Sequence, residues 1–262
     1  GLLGFIWLYF WNKHYYKPSE HPKLSAAELA YINSDADAIA EGDALNTKSF
    51  SWAALLKYKQ TWAFAIGKLL TDPIWWFYLF WLPDFLGSQY GLKGTAIALP
   101  VAAVYSLSVI GSIGGGWIPL KLISKNWPVF RARKTSMLMY AFLVLPILFA
   151  QYLGSLNMWL AVLVIGIAAA AHQAWSANIF TTVSDMFPKH TIGSVTGIGG
   201  MFGALGGILL SLLVQKHLFV YYRNLHKIEI AYYIMFAWCA IAYILAWFIM
   251  HLLVPKVNVI ED

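Results

Sequence analysis

Residues 61–86, TWAFAIGKLLTDPIWWFYLFWLPDFL, constrain this chain more than any other stretch. The run is long and apolar enough to cross a bilayer as a helix, which takes about 20 residues. Yet Lys68 and Asp72 sit inside it. On insertion scales each such charge costs roughly 2.5–3.5 kcal/mol at a helix centre. A helix that only had to sit in lipid would not keep both. Their i,i+4 spacing places them one turn apart on one face, with Thr71, Trp75 and Trp76 on or beside it. Pro73 removes a backbone donor, so a bend is expected there. The stretch reads as a membrane helix with one wet, aromatic-lined face, and Lys68, Asp72, Trp75 and Trp76 become candidate substrate-binding residues. The structural alternative is a pair that only neutralises itself, with Lys68 snorkelling toward the surface.

The rest of the composition agrees. Hydrophobic residues make up 60% of the 262 and charged residues 11%, against about 25% charged in soluble domains. Mean hydropathy is +0.63. No alternating ten-residue segments mark a β-barrel, so the expected class is an all-α polytopic membrane protein. The net charge of +6 reflects cations in loops beside spans, so it sets orientation and gives no reason to expect nucleic acid. The single cysteine, Cys239, rules out a disulfide within the chain and a thiolate zinc site. Neither a metal nor a cofactor is expected.

The chain opens GLLGFIWLYFW, too short for a span and without the charged start of a signal peptide. Residues 1–11 therefore read as the end of a helix that begins elsewhere, and the chain as a piece of a longer protein. Residues 12–58 form a polar linker. Within it Ser25 and Glu28 have capping-box spacing ahead of Leu29, Tyr31 and Ile32, which predicts one short surface helix. The acidic residues 35–43 read as solvated loop. Six spans follow, near 61–86, 95–120, 135–153, 158–182, 193–216 and 230–253. Thirteen of the 18 Lys and Arg residues fall in the linker, the loop after the second span, the loop after the fourth and the tail. By the positive-inside rule these segments, including Lys125, are cytoplasmic.

The spans fall into a repeated order. The first and fourth are polar. The second (SVIGSIGGGWIPL) and fifth (GSVTGIGGMFGALGGI) are glycine-rich, and the third and sixth are apolar and aromatic. Three spans used twice give an inverted repeat, as in many secondary transporters. Gly199, Gly203 and Gly207 form small-xxx-small steps for close helix approach, either static or during rocking. The fourth span carries AAAAHQAWSANIFTT. His172 lies roughly 20 Å from its outer end, with Gln173 and Ser176 on its face. These three join the substrate-binding candidates. Asn178, Thr181 and Asp185 point elsewhere.

These stretches resemble the major facilitator superfamily, and within it the anion:cation symporter family and bacterial hexuronate transporters. The resemblance rests on KYKQTWAFAIGKLLTDPIWWFYLFWLPDFL, on HQAWSANIFTTVSDMFPKHTIGSVTGIGGMFGALGGI, on HPKLSAAELAYI in the linker and on GGWIPLKLISKNWPVFRARK. It implies the six-helix C-terminal half of such a transporter, residues 59–262, preceded by the central cytoplasmic loop (12–58) and the end of the sixth helix (1–11). The spans would be helices 7 to 12. Helices 7 and 10 would line the cavity, 8 and 11 would meet the other half, and 9 and 12 would face lipid. The implied partners are a small organic anion, a coupling proton, the bilayer and an N-terminal half that holds most of the family's anion-binding and coupling residues. Residues 215–227 read as a loop longer than the family pattern.

The function that follows is proton-coupled symport of an organic anion across a bacterial inner membrane, a hexuronate such as glucuronate or galacturonate first, an aldonate or other carboxylate second. Against it stand a membrane-embedded enzyme using His172, Asp185 or His190, and a scaffold without transport. No HExxH, GxSxG or paired-Cys signature supports an enzyme, and a scaffold leaves the charges of the first span unexplained.

Overall fold

The computed structural model describes residues 2–33, 51–256 and 260. The acidic stretch 35–43 lies outside these. Among the described residues every regular element is helical.

The chain divides into two units. The first holds α1 (Leu2–His14) and α2 (Ala26–Asn33). Aromatic stacking runs along α1, with Trp7 on Trp11 at 5.0 Å and Trp11 on Tyr15 at 4.2 Å between centroids. The capping box at α2 forms. Ser25 donates its backbone N–H to Glu28 Oε2 at 3.0 Å, and Glu28 donates its own to Ser25 Oγ at 3.2 Å. The Ser25 N–H and the Ser25 hydroxyl, at 2.8 Å, both donate to the Glu28 carboxylate, which favours its charged form and holds it below the usual glutamate range.

The second unit is a helical bundle. After the single turn α3 (Trp52–Leu55) come α4 (Lys59–Tyr90), α5 (Ala98–Ile123), α6 (Val129–Val144), α7 (Ala150–Leu156), α8 (Met158–Met186), α9 (Ile192–Leu212), α10 (Val220–Asn224) and α11 (Ile228–Leu253). Five helical stretches are long and apolar enough to cross a membrane, namely Gly94–Ile123, Val129–Leu156, Met158–Met186, Lys189–Asn224 and Ile228–Leu253. The sixth expected span, α4, has ample length at 32 residues, but its charges lower its apolarity. All six expected spans are helical, and each helical stretch is longer than the sequence suggested. The protein is an all-α, multi-pass membrane protein.

Two expectations need revision. Residues 215–227 are not a long loop. A π-helical turn, Leu213–Phe219, carries α9 directly into α10. The aromatic run FVYY lets the helix continue past the apolar core, and the reversal waits for Asn224 to Lys227, with His226 at φ 53°. The sixth span, α11, is not simply a lipid-facing helix. Tyr232 and Tyr243 on it are fully buried.

The expected repeat is visible in the packing. The two most extensive helix pairings are α5 on α8 and α9 on α4. Exchanging each span with its repeat mate converts one into the other. The same exchange relates α6 on α8 to α11 on α4, which rank next. Glycine explains why the first two approach so closely. A β-carbon at Gly111 or Gly115 would collide with the backbone of Ala170 or Ala174 on α8, and one at Gly199, Gly203 or Gly207 with Phe64, Asp72 or Trp76 on α4. The glycine stripe of the fifth span is therefore buried inside this bundle, packed against the first span. Gly206 meets the carbonyl of Leu69 and the ring of Pro73. That carbonyl is the acceptor that Pro73 leaves without its helical donor. α4 stays helical through Pro73 and Pro83.

Candidate functional site

The polar face of α4 meets α8 running the other way. Phe64 packs edge-on to Phe180 at 5.9 Å, Lys68 Nζ sits 4.1 Å from the Phe180 ring centre, and Trp75 stacks on His172 at 5.2 Å and 12°. Ascending numbers on one helix meet descending numbers on the other, so the two repeat mates share one seam.

Lys68 Nζ lies 2.7 Å from Asp72 Oδ2, and their side chains are 6% and 22% exposed. The Phe180 ring offers Lys68 a second favourable contact through its negative face. Gly203 provides the room that the Asp72 carboxylate fills. Thr71 returns its hydroxyl to Gly67 O at 2.8 Å, so its polarity is satisfied within the helix. Lys68 is buried as an ion pair, with a hydrophobic aromatic above it and a bare backbone beside its partner. Mutual attraction offsets much of what either charge alone would cost in this setting.

His172 is 4% exposed. Its Nδ1 lies 2.6 Å from the Tyr243 hydroxyl of α11, and Trp75 covers one ring face. Trp75 in turn packs against Tyr105 of α5 at 5.8 Å. Four helices thus fix one imidazole. Gln173 and Ser176 are partly exposed. Trp76 goes elsewhere. It is 40% exposed, packs on Gly207 and stacks on Phe80 at 5.7 Å. The structure therefore brings Lys68 with Asp72, and Trp75 with His172, and separates Trp76 from both.

Sequence reasoning missed Tyr243, Tyr105 and Phe180, and gave Gly203 only as a close-packing position. Tyr243 sits in the apolar run WCAIAYILAW, where nothing marks one tyrosine as inward. The polar residues expected to point elsewhere on α8 do so, with defined tasks. Asn178 Nδ2 donates to Gly115 O at 2.7 Å, a cross-helix bond at the glycine contact. Asp185 pairs with Arg133 of α6 at 2.7 Å, and Thr181 accepts from the same guanidinium at 2.8 Å. Asp185 lies 13 residues from His172, roughly 20 Å along the helix. The two are not one reaction centre. Among the described residues no group of His, Cys, Asp and Glu could hold a metal ion.

Residues 1–211 match the Major Facilitator Superfamily. The chain belongs to that superfamily. It is 27% identical over 218 residues to a hexuronate transporter of Escherichia coli (strain K12), covering 82% of this chain and 49% of that protein. A D-galactonate transporter of Escherichia coli O6:H1 is 25% identical over 221 residues, covering 82% and 50%. A galacturonate transporter of Dickeya chrysanthemi is 31% identical over 120 residues, covering 46% and 34%. The chain thus spans about half the length of the first two relatives. All three are named as transporters, none as an enzyme.

Proposed function

We propose that this chain is the six-helix C-terminal half of a secondary transporter for a sugar acid, working by alternating access in a bacterial inner membrane. Residues 1–11 end the preceding helix, 12–58 are the central cytoplasmic loop and 59–262 are the bundle. A hexuronate such as glucuronate or galacturonate is the first substrate, with proton symport. An aldonate is the second, because one of the relatives carries D-galactonate in its name.

One observation supports this reading above the others. A lysine and an aspartate form a 2.7 Å pair within a membrane helix, at the seam of the two repeat mates. Protonating Asp72 removes its hold on Lys68. Lys68 then offers its ammonium to the carboxylate of an incoming sugar acid, and the vacated charge is replaced by that of the substrate. Proton and anion enter the same site with no net change in its charge, as one-to-one coupling of the two would have it. By linkage each then tightens the other. Trp75 offers an apolar ring to the sugar's C–H face, and His172, Gln173 and Ser176 offer hydrogen bonds to its hydroxyls. Trp76 remains a candidate only if the bundle rearranges around it.

The enzyme reading loses its chemistry, since Asp185 is paired with Arg133 and far from His172. The deciding experiment is uptake of labelled glucuronate, galacturonate and galactonate into proteoliposomes that hold the full-length transporter, with and without an inward pH gradient. Gradient-driven accumulation of one acid is the expected result. Uptake unaffected by the gradient, or accumulation of none, would remove the proposal.

A further inference from the structure

The side of the bundle where the start of α6 meets the end of α11 holds a cavity of about 550 Å³ that plays no part in the transport site. Its walls are of two kinds. Phe130 and Trp247 supply apolar surface, and Arg131, Lys134, His251 and Lys256 supply nitrogen donors.

Lys134 is the centre of it. The residue is 8% exposed. Its ammonium donates to Val254 O at 2.7 Å, lies 2.9 Å from His251 Nδ1 and sits 5.4 Å from the Phe130 ring centre. Pro255 O lies 3.5 Å away as a third acceptor. Among the described residues no carboxylate pairs with Arg131, Lys134 or Lys256. Backbone carbonyls thus hold the buried Lys134 ammonium at the end of α11, and the exposed Arg131 and Lys256 are the cations open to an anion at the cavity. The wall is also pre-organised. The Trp247 ring stacks on His251 at 4.9 Å and 10°, and its indole N–H donates to Lys134 O at 2.8 Å.

Position identifies the anion. Both helices expose apolar side chains close to the lining residues in sequence, Val129 on α6 and Phe248 and Leu252 on α11. The cavity lies at their ends, where chain hydrocarbon gives way to the cationic loop and tail. A phospholipid needs both parts. Basic pockets between membrane helices on the cytoplasmic side suit anionic headgroups.

We propose that this cavity binds one anionic phospholipid. Its phosphodiester sits between Arg131 and Lys256 above Lys134, and its glycerol and upper acyl carbons lie on Phe130 and Trp247. The site is independent of the sugar-acid reading.

The test is native mass spectrometry of the protein purified from nanodiscs of phosphatidylcholine doped with phosphatidylglycerol. Arg131→Gln and Lys256→Gln are compared with the parent, since both side chains are exposed and their loss should leave the thermal melt unchanged. We expect one phosphatidylglycerol to be retained in preference to phosphatidylcholine. Its apparent affinity should fall roughly fivefold for each cation removed, the size of one basic contact at an anionic surface. Equal retention of the two lipids, or unchanged retention in the double variant, would overturn the proposal. So would displacement of phosphatidylglycerol by inorganic phosphate, which would make the cavity a site for aqueous anions.

Discussion

Gly203 of α9 leaves empty the space that the Asp72 carboxylate of α4 occupies, and a β-carbon at position 203 would collide with that carboxylate. The ion pair with Lys68 therefore depends on a residue of another helix that touches neither charge through a side chain. Gly203→Ala should displace Asp72 from Lys68 and overpack the helix contact, lowering stability by about 1–3 kcal/mol. Gly200, on the same helix, meets nothing within 4 Å. Gly200→Ala should leave stability unchanged or raise it by up to ~1 kcal/mol through helix propensity. Thermal melts of the two variants in one detergent give the comparison. Equal melts would mean that α9 adjusts freely and that Gly203 holds nothing in place.

The pair itself can be dissected by charge. If protonation of Asp72 releases Lys68, anion affinity in the parent should rise as pH falls. Asp72→Asn copies the protonated state, so it should bind the acid with little pH dependence. Lys68→Ala should bind poorly at every pH. Removing both side chains distinguishes this from a structural pair, because a pair that only neutralises itself is best lost together. Restored transport in the Lys68→Ala/Asp72→Ala double variant would take both residues out of the site.

Orientation rests on the distribution of Lys and Arg. Cys239 is the single cysteine and is fully buried, so background thiol labelling will be low. Lys125 and Asn224 are both exposed, and the positive-inside reading puts them on opposite sides of the membrane. A membrane-impermeant maleimide added to intact cells should react with Asn224→Cys and not with Lys125→Cys. The reverse pattern would invert the topology.

How much of this was legible beforehand varies with the physics involved. The helices and their class came through because hydropathy and charge act locally along one helix. The repeat came through because the same three classes recur. The α4–α8 seam was half legible. The i,i+4 spacing set Lys68 beside Asp72, yet no local signal could show that Phe180 would cover Lys68 or that Tyr243 would reach His172. Those are contacts between segments far apart in sequence, and a buried tyrosine and a lipid-facing one look alike in an apolar run. Trp76 shows the limit of adjacency in sequence. It neighbours Trp75 in sequence, but one residue is 100° of helix, which turned it onto Gly207. The loop assigned to 215–227 failed because His, Lys and Gln looked like an ending, while the aromatic residues between them carried the helix on.

The 2.6 Å contact between His172 Nδ1 and the Tyr243 hydroxyl yields the last prediction. Whichever group donates, one ring nitrogen is committed to protein, which leaves Nε2 as the nitrogen able to meet a ligand. Trp75 already covers one ring face, so the approach must come from the ring edge. Tyr243→Phe removes the partner and keeps the shape. It should cost about 1–3 kcal/mol of stability, the penalty of leaving a buried polar group unpaired, and weaken sugar-acid binding by letting the imidazole turn. His172→Gln keeps a donor and an acceptor but cannot titrate. Among the described residues no carboxylate pairs with His172, so we expect the imidazole to serve as a hydrogen-bonding group rather than the proton carrier. Substrate affinity of His172→Gln should then fall by a similar factor at every pH. A selective loss of the pH dependence between roughly pH 5.5 and 7.5, around the ordinary histidine value, would instead assign the proton to His172 and relieve Asp72 of that role.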